Sequence, residues 1–220
     1  MKIAIMQPYY FPYIGYYQLI NSVDTFYVYD DVAFIKKGWF NKNKIVINNT
    51  EYSFTIPLKN VSQNRNINEH FVSEEFNKWK DNFYKTLYLN YNKSIHFNDV
   101  FSIIEDTLKY DNIVDITQTS LELVCKYLDI QTKFERTSNM FGINSSKGQR
   151  LIDITHKVGA NIYINSIGGR VLYDKEEFKK HNIDLFFLQC NNPCNYVSMI
   201  DLLMHHGKQT KNLLNNYELI

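Results

Sequence analysis

The chain contains few of the residues that cross-link, bend or interrupt a protein. Of its 220 residues, three are cysteine, four are proline and eight are glycine. The odd and sparse set of cysteines (Cys125, Cys190 and Cys194) argues against a disulfide scaffold and for a reducing compartment. The sequence also has no internal repeat, low-complexity tract or clear linker. We therefore predict one domain over residues 1–220.

Long apolar runs and an excess of one charge are missing as well. No run of roughly 18 apolar residues occurs, so no membrane insertion is expected. The opening apolar run is broken by Gln7 and two prolines and lacks a small-residue cleavage site, which is unlike a signal peptide. The 24 basic residues nearly balance the 23 acidic ones without forming a stripe, which argues against DNA as a partner. We expect a cytoplasmic protein.

Aromatic side chains are what the chain has in excess, with 17 Tyr and 15 Phe. Tyr combines an apolar ring with a polar hydroxyl, so it suits a pocket that holds a ring and hydrogen-bonds its edge. An AT-rich genome is the other explanation of the aromatic excess, and it also explains the many Asn, Ile and Lys residues. Composition alone leaves both explanations open.

Predicted strands and helices alternate at both ends of the chain. Short β-branched and aromatic runs predict strands. The predicted strands are Lys2–Met6, Thr25–Tyr29, Thr132–Glu135, Asn161–Ile164 and Asp184–Leu188. After the second strand come a hairpin of Asn43–Ile47 with Tyr52–Ile56 and a helical segment at about residues 70–130. The alternation predicts right-handed crossovers and a mostly parallel, Rossmann-like α/β sheet with flanking helices.

Helices are predicted from apolar residues at three- and four-residue spacing and from their caps. Ser145-Ser146 and Asp174 are predicted N-terminal caps, and Gly159 and Gly207 are predicted stops. The predicted helices are Tyr16–Ser22, Glu74–Asn92, Asn98–Tyr110, Gln118–Leu128, a segment from Ser145-Ser146 to Val158, a segment from Asp174 to Lys180, and Tyr196–His206.

The first candidate site is the turn between the first strand and the first helix. Its candidate binding residues are Gln7, Tyr9, Tyr13, Gly15 and Tyr16. Ligands of open α/β sheets bind at the carboxyl ends of strands, and a helix start there attracts anions. The layout resembles enzymes that hold nucleotide phosphates with a His-x-Gly-His turn, but Tyr13 and Tyr16 stand at both histidine positions and remove the cationic donors. A rigid proline turn with tyrosines as packing explains the same spacing.

The second candidate site follows the second strand. Asp30 and Asp31 are a carboxylate pair at a strand end, which suits a general base or a ligand for sugar hydroxyls or an amine. Trp39 lies in a polar loop, where an indole often stacks on a ring. The binding candidates of this group are Lys36, Trp39, Asn41 and Lys42. A solvated loop is the alternative for the aspartates.

The third candidate site follows the strand at Asn161–Ile164 and comprises Asn165, Ser166, Gly168, Gly169 and Arg170. Glycines beside an arginine suit a phosphate or carboxylate, although the P-loop ending and the GxGxxG spacing are missing. A simple turn is the alternative.

Three further features lie outside these sites, and the first two have ordinary structural explanations. Residues 145–150 resemble a capped surface helix start, although Lys147 and Arg150 suit a diphosphate. Cys190 and Cys194 with His205-His206 do not have a standard zinc spacing, so no metal site is predicted. Asp201 lies within an apolar helical stripe and must be exposed, paired or functional.

The opening block resembles the WbqC-like protein family. The matching residues are Gln7, Pro8, Pro12, Gly15, Tyr16, Asp24, Asp30, Asp31, Val32, Lys36, Trp39, Asn41 and Lys42. Later segments also resemble this family, at residues 150–169, in FKKHNIDLFF and in SMIDLLMHHG, so the likeness covers nearly the whole chain. The loop at Asn191–Tyr196 is shorter than the corresponding stretch of the family pattern.

The resemblance implies a transferase role in the synthesis of O-antigen or similar bacterial surface polysaccharides. The implied partners are a nucleotide-linked amino sugar and an acyl or aminoacyl donor, with homo-oligomerisation left open and no cofactor identified. A nucleotidyl or adenylyl transferase of the His-x-Gly-His type and a non-catalytic partner of a sugar-modifying enzyme are the alternatives.

Overall fold

The computed structural model describes residues 1–35, 38–143, 145–191 and 197–220. The strands are β1 (Lys2–Met6), β2 (Thr25–Val28), β3 (Lys42–Ile47), β4 (Thr50–Thr55), β5 (Lys133–Arg136), β6 (Ile162–Ser166), β7 (Asp184–Cys190) and β8 (Tyr217–Leu219). The α-helices are α1 (Ile14–Asn21), α2 (Phe76–Tyr91), α3 (Phe97–Thr107), α4 (Ile113–Tyr127), α5 (Lys147–Lys157), α6 (Lys175–Lys180) and α7 (Met199–His206).

Six strands form the main sheet in the order β5-β2-β1-β6-β7-β8. The first five strands in this order, from β5 to β7, are parallel, and β8 pairs antiparallel with β7. β1 lies in the middle, with β2 on one side and β6 on the other. The strand order therefore reverses between β1 and β6, which is where open α/β sheets bind their ligands. The predicted mostly parallel α/β fold is confirmed, as is the hairpin, formed by β3 and β4.

The sheet buries both of its faces because its strands alternate apolar side chains toward two separate layers. Ile3 and Ile5 of β1 pack in a cluster with Leu151 of α5 and Phe178 of α6. Ala4, between them, belongs to the larger cluster that holds residues of α1, α2, α3, α4 and α7. Near-continuous apolar strands are typical of a parallel sheet covered by helices on both faces.

Several boundaries differ from the sequence predictions, and the differences matter near the strand ends. α1 begins at Ile14, so Gly15 lies inside the helix instead of in the turn before it. α4 begins at Ile113, because the Asn112 side chain accepts a hydrogen bond from the Val114 N–H at 2.8 Å. β6 extends to Ser166 and is followed by a 3₁₀ helix at Ile167–Val171, where the prediction was a loop.

Other differences lie toward the C-terminus. The three-residue strand β8 was not predicted. Asp174 caps α6 as predicted and accepts a hydrogen bond from the Glu176 N–H at 3.0 Å. Ser146 lies at the cap position of α5, but no capping bond of its side chain is found among the described residues. α7 begins at Met199, and Tyr196 lies outside the described residues. None of the described helices has the length and hydropathy needed to cross a bilayer.

Candidate functional site

The three candidate sites lie side by side along the carboxyl edge of the parallel sheet. β1 and β6 pair in register at Lys2 with Ile162, so the first and third sites follow adjacent strands. On the other side of β1, the Tyr29 N–H donates to the Met6 carbonyl at 2.8 Å, which joins the second site to the first. The parallel topology therefore gathers residues that are far apart in sequence.

The turn after β1 is held in a strained conformation. Phe11 has a φ of +44°, which is a rare and unfavourable value for a bulky side chain. Its carbonyl accepts hydrogen bonds from Asn43 Nδ2 at 2.6 Å, Ser198 Oγ at 2.9 Å and the Met199 N–H at 3.2 Å. The hairpin and α7 thus fix the backbone that carries Tyr9 and Tyr13.

Asn43→Ala is expected to lower the free energy of unfolding by about 2–4 kcal/mol, because three hydrogen bonds at a buried position are lost. Its amide donates to the Tyr10 and Phe11 carbonyls at 2.9 and 2.6 Å and accepts from the Lys44 N–H at 2.8 Å. Urea denaturation measures the change. Asn41→Ala is the control. Within the described residues, the Asn41 side chain makes one hydrogen bond, in which its amide donates to the Ile56 carbonyl, so the free energy of unfolding should fall by only about 1 kcal/mol. Equal losses for the two variants would contradict the bracing role of Asn43.

A cavity of about 270 Å³ opens between this turn and the hairpin. We call it the aromatic pocket; its lining residues are Tyr9, Pro12, Tyr13, Trp39, Asn43 and Lys44. Trp39 is 47% exposed, and Lys42 Nζ lies 5.6 Å from the centre of its ring. Burial raises the pKa of the Tyr9 hydroxyl, so this group is neutral near pH 7. The pocket therefore presents mostly neutral rings, with cations at its rim.

The other predicted residues of the first site support the pocket from beneath. Tyr16 is 3% exposed, and its hydroxyl donates to the Gln7 carbonyl at 2.7 Å. Its ring lies 5.7 Å from that of Tyr9. A Cβ atom on Gly15 would lie 2.5 Å from Cε2 of Tyr13, so only glycine leaves room for the Tyr13 ring here. Gln7 itself is partly exposed at the end of β1.

The two adjacent aspartates have different environments. Asp30 is fully buried and accepts from the Ser138 N–H at 3.0 Å and the Ser138 hydroxyl at 2.7 Å. The Asp31 side chain is 20% exposed and accepts from the Thr137 hydroxyl at 2.6 Å. Asp30 therefore ties β2 to the segment after β5, whereas Asp31 reaches the surface of the carboxyl edge.

Arg150 is the partner of Asp31 that was absent from the predicted site residues. Its Nη2 donates to Asp31 Oδ2 at 2.5 Å, and its guanidinium carbon lies 5.2 Å from the Tyr29 ring centre. Its side chain is 16% exposed. The sequence signal is a basic residue in the first turn of the predicted helix, where a diphosphate contact and an ordinary capped surface helix both fit the pattern. The ion pair neutralises and orients the carboxylate at the edge of the sheet.

The third site is divided between two places. Asn165 is buried at the end of β6, and a Cβ atom on Gly169 would lie 2.7 Å from its Nδ2, so the glycine permits this close approach. Ser166 is partly exposed, Gly168 is exposed, and the Ser166 N–H donates to Asn165 Oδ1 at 2.7 Å. Arg170 instead lines a separate cavity of about 540 Å³ with Tyr173 and Lys175. Arg170 is thus not part of the aromatic pocket lining.

Two other predicted features have structural partners or lie outside the described residues. Asp201 is paired: its Oδ1 accepts from the Tyr91 hydroxyl at 2.5 Å and the Val46 N–H at 3.3 Å. Lys36 and Cys194 lie outside the described part of the chain. Within the described residues, no group of three His, Cys, Asp or Glu side chains could hold a metal ion.

Comparison with known proteins identifies the family. A family model described as WbqC-like protein family matches residues 7–213, which include the turn, both aspartates and the aromatic pocket. The chain is 24% identical over 227 residues to a protein of Mycobacterium tuberculosis (strain ATCC 25618 / H37Rv) named Uncharacterized protein Rv1507c, with 97% of each chain covered. No solved structure matches. The chain belongs to the WbqC-like protein family.

Proposed function

We propose that this protein is a transferase of bacterial surface-polysaccharide (O-antigen type) biosynthesis, which attaches an acyl or aminoacyl group to a nucleotide-linked amino sugar. The observation that carries the proposal is a partly exposed carboxylate, Asp31, in the segment that follows β2, beside the turn after β1 that forms the aromatic pocket. A ring-binding pocket and a proton acceptor at the ends of neighbouring strands are what such a transfer needs. Family membership supports the surface-polysaccharide context.

The reaction assigned to the site is nucleophilic acyl transfer. The amine nitrogen of the sugar attacks the acyl carbon, so that a C–N bond forms and the bond from the acyl carbon to the donor's leaving group breaks. The attacking amine loses one proton, which Asp31 accepts and passes to the leaving group. Asp31 retains acceptor capacity for this step, because each carboxylate oxygen has about two lone-pair sites and one described bond.

Other residues at this edge of the sheet have supporting roles in this proposal. Gln7, Asn165 and Ser166 carry amide and hydroxyl groups at the ends of β1 and β6, which suit the sugar hydroxyls. Lys42 at the pocket rim suits a phosphate oxygen. Arg150 keeps Asp31 oriented. Asp30 has a structural role, because its carboxylate is enclosed.

A thermal-shift screen tests the binding part of the proposal. UDP-glucosamine, a dTDP-linked amino sugar, UDP, ATP and free glucosamine are the probes. A ligand that binds only the folded state raises the melting temperature. At a ligand concentration of a hundred times its Kd, the free energy of unfolding increases by about 2.7 kcal/mol. Stabilisation by UDP- or dTDP-linked amino sugars is expected. Stabilisation by ATP alone, with pyrophosphate released in the presence of an acid substrate, would favour the nucleotidyl or adenylyl transferase instead.

Gly15→Ala is expected to weaken nucleotide-sugar binding about 2- to 10-fold, because the new methyl group displaces the Tyr13 ring from the aromatic pocket. The melting temperature should stay close to that of the wild type, since alanine favours the helix. Gly148→Ala is the matched control, because Gly148 is also the second residue of a helix and its Cβ would meet Tyr173 at an ordinary 3.7 Å. Calorimetric titration measures both. Unchanged binding in Gly15→Ala would remove Tyr13 from the site.

A non-catalytic partner role is the second candidate, and one surface favours it. Tyr88, Leu89 and Ile95 are 57%, 76% and 92% exposed on α2 and the loop after it. Tyr88 and Leu89 line an apolar groove together with Tyr84 and Phe101. Contiguous apolar surface of this kind suits contact with another protein. This candidate predicts no turnover by the chain alone and full turnover once a neighbouring sugar-modifying enzyme is added.

A further inference from the structure

We infer that the aromatic pocket holds the nucleobase of the substrate and that the sugar lies outside it. This inference rests on the proposed function for the identity of the whole substrate, but the pocket's preference for a base over a sugar follows from its own chemistry. The distinction matters because it fixes which end of the substrate the turn after β1 recognises.

The polar side chains of the lining are already engaged. Asn43 uses its amide nitrogen on the Tyr10 and Phe11 carbonyls and its amide oxygen on the Lys44 N–H. Lys44 Nζ lies 2.6 Å from Glu51 Oε1. A sugar ring carries hydroxyls or amines on most of its carbons, and these groups need partners when they are buried. The pocket offers hydrogen-bonding partners only at the edges of its rings, so it is poorly suited to a sugar.

The rest of the lining consists of the flat side chains of Tyr9, Tyr13 and Trp39, with Pro12. Every base has two π faces that stack on aromatic side chains without hydrogen-bonding its edge, and this stacking is sequence-tolerant. The volume of about 270 Å³ lies below the roughly 300–1,000 Å³ of pockets that enclose a drug-sized ligand. The pocket therefore takes one ring system of a nucleotide-linked sugar and leaves the remainder outside.

The charge at the rim gives the direction of the substrate. Lys42 Nζ lies 5.6 Å from the centre of the Trp39 ring, so a cation lies next to the proposed stacking position. A nucleotide carries its phosphates on the ribose, one unit away from the base. With the base against Trp39, the phosphates lie near this cation and the sugar lies farther out, beyond the aromatic pocket.

Tryptophan fluorescence provides a direct test, because the chain has two tryptophans and only Trp39 lines the pocket. Trp79 stacks on Phe76 and Phe83 of α2. Trp79→Phe leaves Trp39 as the sole reporter in the full-length chain. Uridine, thymidine, cytidine, adenosine and guanosine 5′-monophosphates are compared with glucosamine 1-phosphate, which carries a phosphate and an amino sugar but no base. Saturable quenching by at least one nucleotide, and at least tenfold weaker binding of glucosamine 1-phosphate, is expected.

Trp39→Leu in the wild-type background completes the test. Calorimetry should show about 5- to 150-fold weaker nucleotide binding, the range that one base stack contributes, and Trp79→Phe should bind like the wild type. Trp39 is half exposed, so its replacement leaves the core intact, and an unchanged melting temperature checks this. Tighter binding of glucosamine 1-phosphate than of every nucleotide would overturn the inference, as would no binding of either class.

The outcomes separate this inference from the proposed function. Nucleotide binding that depends on Trp39, without acyl transfer to any nucleotide-linked amino sugar, would support the pocket assignment and overturn the transferase proposal. Acyl transfer that no nucleoside monophosphate inhibits, and that Trp39→Leu leaves unchanged, would support the transferase and overturn the pocket assignment.

Discussion

Asp31→Asn is expected to lower the rate of acyl transfer by about 10²–10⁴-fold, the usual contribution of a positioned general base. The asparagine keeps the size of the side chain and one oxygen toward Arg150, but it cannot accept the proton of the attacking amine. The effect should fall on kcat with little change in the affinity for the nucleotide, because Asp31 is not part of the aromatic pocket. Steady-state kinetics with a nucleotide-linked amino sugar measures both values.

Asp115→Asn is the matched control for this variant. Asp115 also pairs with an arginine, with its Oδ1 2.7 Å from Arg136 Nη2, and its side chain is more exposed than that of Asp31, at 38%. We expect this change to leave the transfer rate within a factor of about two, since exposed ion pairs contribute little. A transfer rate for Asp31→Asn equal to that of Asp115→Asn would show that Asp31 is not the base.

Asp30→Ala is expected to lower the free energy of unfolding by about 3–5 kcal/mol, because charge-assisted hydrogen bonds are lost and buried donors are left without partners. The carboxylate accepts two hydrogen bonds from Ser138, and its removal leaves a cavity between β2 and the segment after β5. Urea denaturation at constant m-value measures the change. For a domain of ordinary stability, this is a large fraction of the total.

Ser138→Ala provides the graded comparison. It removes only the hydroxyl donor at 2.7 Å and keeps the backbone N–H donor, so a loss of about 1–2 kcal/mol is expected. An Asp30→Ala protein as stable as the wild type, yet inactive in transfer, would reverse the roles that we assign to the two aspartates.

The fold could be predicted from sequence because its signals are local. The strand at Lys2–Met6 is a short apolar run that ends at Gln7-Pro8, and its predicted limits are those of β1. The cap at Asp174 is a short-range bond between neighbouring residues. β8 was missed because a three-residue strand at the edge of a sheet is defined by its pairing with β7, which no local pattern reveals.

The different roles of Asp30 and Asp31 could not be predicted from sequence, because they depend on contacts with distant parts of the chain. The sequence presents Asp30 and Asp31 as equals at a strand end. Their difference arises from Ser138 and Arg150, which lie 108 and 119 residues away from their partners. Tyr16 likewise fitted a binding role by its spacing, but α1 begins two residues earlier than predicted and directs this side chain into the core.

Mass spectrometry of the reaction products tests the central claim most directly. The wild-type protein and Asp31→Asn are each incubated with UDP- and dTDP-linked amino sugars and a panel of acyl thioesters, acyl phosphates and aminoacyl esters. We expect the wild type to convert one nucleotide-linked amino sugar to a heavier species that carries the acyl group on nitrogen, and Asp31→Asn to form it far more slowly. Binding of the nucleotide sugars by the folded protein with no acylated product from any donor would contradict the proposed transferase activity.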